Sequence, residues 1–402
     1  MISLTKRFLL AVALLFIIHI EGQSQMLFHQ DKNPHKFNGL QLYDNDSTFS
    51  MNFRFRMQNR LGYTFDDKFN YLSSEYFVRR LRLRMEGFVW SKKLNYSIQL
   101  SFSRGDMDWD NTGFPNVIRD AFVTYKPTKS WSFIIGQTKL PGNRERVVSS
   151  SELQFPDRSN ANARFNIDRD YGVQVVNESS IGNNMVLVFK GAMSSGKGRN
   201  IGTNKAGFAY TGRMEFLPLG NFALKGDYTE GDWIREKTPK ISIGATYHVN
   251  NDALRTGGVL GTLLYQPRDI KQVFVDAMVK YRGWAFLGEY MNRSSNGSPI
   301  TVSTDGKSKS VVYNGEGVNT QLSYQFINKW EIGSRYTIVK PSGDTRLTEP
   351  QQEDMSIGVT KYLNYHRLKL QWEAVRTNRM DLIKNESLVP NYTLRFQIEI
   401  GI

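Results

Sequence analysis

The stretch Val78-Arg79-Arg80-Leu81-Arg82-Leu83-Arg84-Met85-Glu86 alternates between apolar and charged side chains. Successive side chains of a β-strand point to opposite faces, so Leu81, Leu83 and Met85 would share one face and three guanidiniums the other. A helix would scatter the arginines over every side. Because an unpaired buried charge is costly, the arginine face needs water, an anion or both. The pattern predicts a strand with lipid on one side and a wet, positively charged space on the other.

The same alternation recurs to the end of the chain, in segments that begin near residues 51, 94, 208, 241, 318, 330 and 368. The last segment, 392–402, places apolar residues at every second position up to the carboxy terminus. Tight connections, 218–221 among them, alternate with long polar loops. We therefore predict an all-β fold, a transmembrane antiparallel β-barrel of 16–18 strands over residues 50–402. A soluble sandwich is the alternative.

The amino terminus has the pattern of an export signal. Lys6 and Arg7 precede an apolar run over 8–20 that is too short to span a bilayer comfortably, and small residues suitable for cleavage follow. We predict a signal peptide over 1–25 and a short periplasmic lead-in over 26–49, with the barrel in the outer membrane of a Gram-negative bacterium. An uncleaved anchor helix is the alternative.

Composition limits the partners. The chain has 402 residues, a formal net charge of +14, 13% aromatic residues and no Cys, which excludes disulfides and Cys-based metal or nucleophile sites. The mean hydropathy of −0.45 suits a barrel with a polar lumen. The positive charge is spread through strand-like segments rather than held in a tail, which disfavours nucleic acid. The expected partners are the lipid bilayer with its lipopolysaccharide, and small anionic solutes.

Catalysis is not expected. Beyond the signal peptide the histidines are scattered, at His29, His35, His248 and His366, and none has a Ser or acid beside it that builds a recognisable triad. The stretch 193–198 lacks the spacing of a nucleotide loop. We predict no enzyme activity, no cofactor and no metal site.

Three segments carry a resemblance to a known family: Asp120-Ala121-Phe122-Val123-Thr124-Tyr125, then 135–145 (IGQTKLPGNRE) and 149–159 (SSSELQFPDRS). They resemble the phosphate-selective porin O and P family, and weaker similarity runs from Arg79 to the end. The resemblance implies a homotrimer of 16-stranded barrels whose third external loop folds inward and narrows the lumen. The third long loop here is 138–169. The resemblance also implies that barrel assembly machinery recognises residues 391–402.

An anion channel needs positive groups that bind each ion weakly enough to release it. Arginine suits this role because its charge is permanent and its fork matches phosphate oxygens. The candidates lie on inward strand faces and in the third long loop: Arg54, Arg56, Arg80, Arg82, Arg84, Lys139, Arg144, Arg146, Arg158, Arg164 and Arg169.

The function predicted from these candidates is an outer-membrane porin for passive diffusion of small anions such as phosphate. The alternative role of the candidate arginines is structural, in ion pairs that hold the loop to the wall or link neighbouring strands. In that case the barrel would be a non-selective porin. A closed barrel with a binding or assembly role is a further alternative.

Overall fold

The computed structural model describes residues 40–402 apart from 45–47, 109–112, 114, 183 and 202–206. The predicted signal peptide and the first part of the predicted lead-in lie outside the described residues. The described end of the lead-in contains strand β1 (Leu40–Tyr43), which pairs antiparallel with residues 50–53.

Sixteen long strands form one closed antiparallel barrel, which agrees with the lower end of the predicted range. They are β2 (Ser50–Phe65), β3 (Tyr71–Val89), β4 (Ser91–Ser101), β5 (Ile118–Tyr125), β6 (Trp131–Lys139), β7 (Arg169–Ile181), β8 (Met185–Ser194), β9 (Ala209–Leu217), β10 (Lys240–Arg255), β11 (Leu263–Tyr281), β12 (Trp284–Ser295), β15 (Gly315–Gln325), β16 (Trp330–Pro341), β17 (Gln351–Asn364), β18 (Leu368–Asp381) and β19 (Glu386–Gly401). A separate hairpin, β13 (Ile300–Val302) and β14 (Lys309–Val311), lies between β12 and β15.

Each barrel strand pairs with the next along the chain, and β19 closes the ring on β2. Ile398 lies opposite Asn59 in this closing pair, and Phe396 lies opposite Leu61. The first and last barrel strands therefore have hydrogen-bonded neighbours on both sides.

The burial pattern is the reverse of a water-soluble protein. In β15 the polar side chains of Asn319, Gln321 and Ser323 are buried, whereas Leu322, between them, is 46% exposed. The same alternation of buried polar and exposed apolar positions runs through the first part of β10, where Thr246 and His248 are buried and Tyr247, between them, is exposed. An apolar outer face needs lipid, and a span of 9–11 residues crosses a bilayer when a strand is tilted.

Helical structure is confined to the connections. The short helices are α1 (Arg104–Met107), α2 (Arg144–Val147) and α3 (Asn160–Phe165), and 3-10 turns cover Ala223–Tyr228 and Gly343–Leu347. Ser159 caps α3, because its Oγ accepts a hydrogen bond from the Asn162 N–H at 3.1 Å. None of the helices in the described part of the chain is long and apolar enough to cross a membrane.

The two ends of the barrel differ in their connections. At the end that holds both termini of the barrel, Trp90 alone joins β3 to β4, and residues 282–283 join β11 to β12. At the opposite end the loops 140–168 and 296–314 are long.

The prediction of a tight turn at 218–221 was wrong. Gly220, with φ of 76°, does turn the chain, and its N–H bonds to the Leu217 carbonyl at 3.2 Å. No strand follows, however, because Phe222 packs on a buried apolar cluster with Val186 and Val188. The connection between β9 and β10 therefore extends over 218–239 at the end of the barrel where the other turns are short.

Inward-facing glycines provide space for aromatic side chains of the 140–168 segment. A Cβ at Gly358 would lie 2.6 Å from Phe155 Cε1, and a Cβ at Gly317 would lie 2.8 Å from Phe165 Cε2. Both distances are too short for a side chain to be added without movement. The two phenylalanines thus fasten the segment to the inner wall.

We predict that Gly358→Ala destabilises the barrel by about 1–3 kcal/mol, because the added methyl group must displace Phe155. Gly212→Ala is the matched control, since a Cβ there meets no atom within 4 Å. Thermal unfolding in detergent should show a lower Tm for the first variant only. Equal Tm values for the two variants would contradict the packing described.

Candidate functional site

The segment 140–168, here called the long loop, bonds to inward-facing side chains on widely separated strands. Toward β10 and β11, Arg144 donates from Nε to Asp276 Oδ1 at 2.9 Å and from Nη2 to Ser242 Oγ at 2.8 Å. Toward β18, Lys369 Nζ donates to the Leu153 carbonyl at 2.6 Å. These bonds connect the long loop to strands far apart in the ring.

The connection 218–239 is held against the same inner face from the other end of the barrel. Lys280 Nζ donates to the carbonyls of Gly226 at 2.7 Å and Thr229 at 2.8 Å. The Gly283 N–H donates to Asp232 Oδ2 at 2.7 Å. The main chain of 218–239 is therefore anchored to β11 and to the turn that follows it.

The long loop and the 218–239 connection also bond to each other. The Glu230 N–H donates to the Glu152 carbonyl at 2.9 Å, and the Gln154 N–H donates to Glu230 Oε2 at 3.0 Å. Arg144 Nη1 reaches the Asp227 carbonyl at 3.2 Å. Together they occupy inner space beside β8–β12.

A buried ionic cluster stabilises that side. Arg213 Nη1 lies 2.7 Å from Asp276 Oδ2, and Arg213 Nε lies 2.7 Å from Glu215 Oε1. Arg144 bonds to the same two carboxylates. Lys190 Nζ also lies 3.1 Å from Glu215 Oε2, so three basic side chains surround two carboxylates in a group that is largely buried. Removal of one partner would cost about 3–5 kcal/mol, so the cluster fixes the position of the long loop.

The remaining inner space contains three consecutive cavities. The outer cavity, toward the long loops, has a volume of about 500 Å³, the middle one about 230 Å³ and the inner one about 190 Å³. The outer and middle cavities share Arg146 and Arg158 as lining residues. The middle and inner cavities share Arg82 and Arg84. The three cavities therefore adjoin one another along the barrel.

Basic side chains outnumber acidic ones in each cavity. The outer cavity is lined by Arg79, Arg80, Arg146, Arg158, Arg335, Arg379 and Arg395, against Asp157 and Asp354. The middle cavity is lined by Arg82, Arg84, Arg119, Lys139, Arg146, Arg158 and Arg169, against Asp120. The inner cavity is lined by Arg54, Arg56, Arg82, Arg84 and Arg367, against Glu152. The three cavities thus form one basic side of the lumen, which we call the basic path.

The model of one protein family, phosphate-selective porin O and P, matches residues 50–397. The chain belongs to this family. The family and the fold are those of channel proteins, so the protein is an outer-membrane porin of a Gram-negative bacterium. A search of curated proteins found no match.

Solved porin structures share the fold of this porin at low sequence identity. The anion-selective porin from Comamonas acidovorans is 12% identical with a TM-score of 0.50, over 88% of this chain and 99% of that one. The outer membrane channel DcaP of Acinetobacter baumannii is 15% identical with a TM-score of 0.52, over 87% and 97%. OprB of Pseudomonas putida is 9% identical with a TM-score of 0.55, over 88% and 94%.

The strand arginines predicted for the path all face the inner side, but they differ in how far they are paired. Arg80 donates to Gln58 Oε1 at 2.7 Å and to Asp157 Oδ1 at 3.0 Å. Arg82 donates to Asp106 and Arg56 to Ser150. Arg54 and Arg84 pair with Glu86, yet each keeps 38% of its side chain exposed. Arg54 and Arg84 are therefore the most accessible of the five.

The predicted loop residues are mostly engaged with the protein. Lys139 and Arg158 donate to main-chain carbonyls of the long loop, and Arg146 and Arg169 pair with Asp168. These four residues line the middle cavity, whereas Arg144 and Arg164 line none of the three. The role of the predicted residues in anion passage stays a prediction.

Two arginines that share an acid of the long loop with Arg80 were missed among the candidates, Arg60 and Arg79. Arg60, Arg79 and Arg80 all pair with Asp157 of the long loop, at distances of 2.8 to 3.0 Å. Burial would raise the pKa of Asp157, but the guanidiniums of Arg79, Arg60 and Arg80 outweigh it and hold the pKa well below the usual range. The sequence allows ion pairs between the long loop and the wall, but it holds no signal for which arginines pair with this acid.

Arg335 and Arg395 were also missed as candidates for the path. The alternation of their segments already placed both on the polar face, which was a usable signal.

Among the described residues, no group of three or more His, Asp or Glu side chains is arranged to hold a metal ion.

Glu230, at the junction with the long loop, predicts a pH dependence. Burial and the nearby Glu145 carboxylate raise the pKa of Glu230 from 4.5 to about 7. The folded state then binds the proton more tightly than the unfolded chain, so this group lowers the unfolding free energy as pH rises from 4.5 to about 7. We expect Glu230→Gln to lose less stability than the parent over that range.

Paired thermal melts of parent and Glu230→Gln protein, recorded at several pH values in detergent, measure this difference. The glutamine retains an acceptor for the Gln154 N–H. Parallel Tm curves for the two proteins would contradict the prediction.

Proposed function

We propose that the porin conducts small anions by passive diffusion along the basic path. The observation that carries this proposal is the excess of basic over acidic side chains in all three cavities. A continuous positive potential raises the local concentration of anions and repels cations. A solute would meet guanidiniums at every stage between the outer and inner ends of the barrel.

The pairing of the arginines supports release as well as binding. Asp157 shares three guanidiniums in the outer cavity, and Glu86 bonds to both Arg54 and Arg84 in the inner one. An entering anion therefore competes with a resident carboxylate for these guanidiniums. Such competition keeps binding at them weak, which conduction through successive sites requires.

In this proposal the long loop is the constriction. It bonds to the walls on both sides, and it contributes Arg146 and Arg158 to the boundary between the outer and middle cavities. A solute that moves between these cavities must pass both guanidiniums. The arginine fork matches the oxygens of a tetrahedral oxyanion, so phosphate is the solute class that we propose.

We also propose a homotrimer in contact with lipopolysaccharide. A solved structure of OmpT of Vibrio cholerae, described as a trimer form, has the same fold at 10% identity and a TM-score of 0.50. The outward faces of the strands are apolar, as contact with lipid requires. The terminal strand β19, whose alternation continues to Ile402, is the segment proposed for recognition by the assembly machinery over 391–402.

A planar-bilayer recording under a KCl gradient tests the proposed function. We expect a reversal potential that shows chloride preference, and a chloride conductance that falls when phosphate is added. Cation preference or a closed barrel would overturn the proposal. A conductance without ion preference would favour the non-selective porin, in which the acids neutralise the basic path.

Arg54→Gln combined with Arg84→Gln should lower the anion-to-cation permeability ratio by about twofold or more, because the two accessible charges of the inner cavity are lost. The matched control is the double variant Arg282→Gln and Lys361→Gln. It removes the same amount of positive charge at the same end of the barrel, but neither residue lines any of the three cavities. Reversal potentials measure both variants. Equal changes in the two would show that net charge, not the basic path, sets selectivity.

A further inference from the structure

Arg293 is a buried charge with no ion-pair partner among the described residues. It lies on the inward face of β12 and is 2% exposed. Its Nε is buried and has no acceptor, and no hydrogen bond or ion pair joins Arg293 to any other described residue. The ring of Phe165 lies 5.7 Å from its Cζ. A cation–π contact of this kind offsets only part of the cost of burying a guanidinium.

A small cavity adjoins this guanidinium. Its volume is about 170 Å³, and its charged lining residues are Arg293, Arg164 of α3 and Glu349. Arg164 bonds to Glu349 at 3.2 Å and keeps 40% of its side chain exposed. Tyr313 also lines the cavity, and its buried hydroxyl has no hydrogen-bond partner. Three groups that can donate hydrogen bonds therefore surround a space with one excess positive charge.

The neighbouring groups cannot balance that charge. Gln272 lies opposite Arg293 in the sheet, but it is neutral, and its amide N–H₂ donates to the Phe165 carbonyl at 2.6 Å. The single carboxylate of the cavity, Glu349, already bonds to Arg164. A charge buried this deeply requires a counter-ion or several bound waters. The volume of about 170 Å³ is many times the ~10–15 Å³ that one water needs in a cavity, so a small oxyanion fits.

We propose that this cavity binds one tetrahedral oxyanion of the phosphate or sulfate type between Arg293 and Arg164, with the Tyr313 hydroxyl as a third donor. The site lies beside the basic path. It shares Ala163, Asn166 and Leu260 with the outer cavity, but none of its three donors lines the path. A bound anion would link α3 of the long loop to β12.

The inference rests on an uncompensated buried charge and holds whether or not the porin conducts anions. Arg293→Met removes the charge and keeps an unbranched apolar side chain of comparable length. In a buffer without a tetrahedral oxyanion, such as gluconate, we expect this variant to melt at or above the parent Tm, since the unpaired charge is gone. Arg213→Met, at a buried arginine that is fully paired, should lose stability in every buffer.

Exchange of gluconate for sulfate at constant ionic strength should then raise the Tm of the parent by a few degrees more than that of Arg293→Met. Tyr313→Phe, which removes only the hydroxyl, should need more sulfate for the same rise. An equal response of parent and Arg293→Met would overturn the proposal. A loss of stability in Arg293→Met that is the same in both buffers would also overturn it.

Crystals of the full-length porin soaked in selenate locate the anion directly. The expected result is an anomalous peak between Arg293 and Arg164 in the parent and none there in Arg293→Met. No peak at this position in the parent would refute the site. In bilayer recordings, Arg293→Met should show the same anion preference as the parent, because Arg293 does not line the basic path. A parent porin without anion preference would overturn only the proposed function, not this site.

Discussion

The closing pair between β19 and β2 is the constraint on which the rest of the structure depends. Hydrocarbon offers no partner for a main-chain N–H or C=O group, so a sheet that crosses a membrane cannot leave an edge unpaired. Because the barrel closes over sixteen strands, every barrel strand forms main-chain hydrogen bonds with two neighbours. Because the outside must then be apolar and the side chains alternate, the polar and charged residues are turned inward.

The inward-facing guanidiniums repel one another, and the long loop and the 218–239 connection relieve this repulsion in part. Like charges so close together on the inner wall are unfavourable, and a barrel of this size also encloses more space than its own side chains fill. The long loop brings carboxylates such as Asp157 and Asp168 to the wall arginines. The 218–239 connection packs from the other end and bonds to the long loop. One side of the lumen is thereby filled by packed segments whose charges are paired, and the other keeps open cavities with a basic excess.

Much of the architecture could be predicted before any coordinates were known. Period-2 alternation placed Arg80, Arg82 and Arg84 on the same face, and it separated the strands well enough to bound their number. The turn at 218–221 shows where this reasoning fails. Gly220 marks a bend correctly, but nothing local shows that the chain then enters the barrel instead of pairing as a strand.

For the candidate site, the sequence predicted a basic inner face but not which side chains on it contact one another. Residues such as Arg335 and Arg395 could be assigned to the polar face from parity alone. Arg84 pairs with Glu86 on its own strand and stays partly exposed, whereas Arg144 is buried against Asp276, a carboxylate distant in the chain. Burial of an arginine therefore depends on contacts that local sequence does not show.

The sequence by itself determined the strand period, the apolar outer face, the polar inner face and the basic excess, because each follows from local alternation and composition. Only the tertiary structure decided which charges neutralise one another, which side of the lumen is filled and that Arg293 has no ion-pair partner in the part of the chain that the structure describes. These outcomes depend on the register of a closed ring and on two segments packed within it, and long-range packing of this kind leaves no periodic signal in the chain.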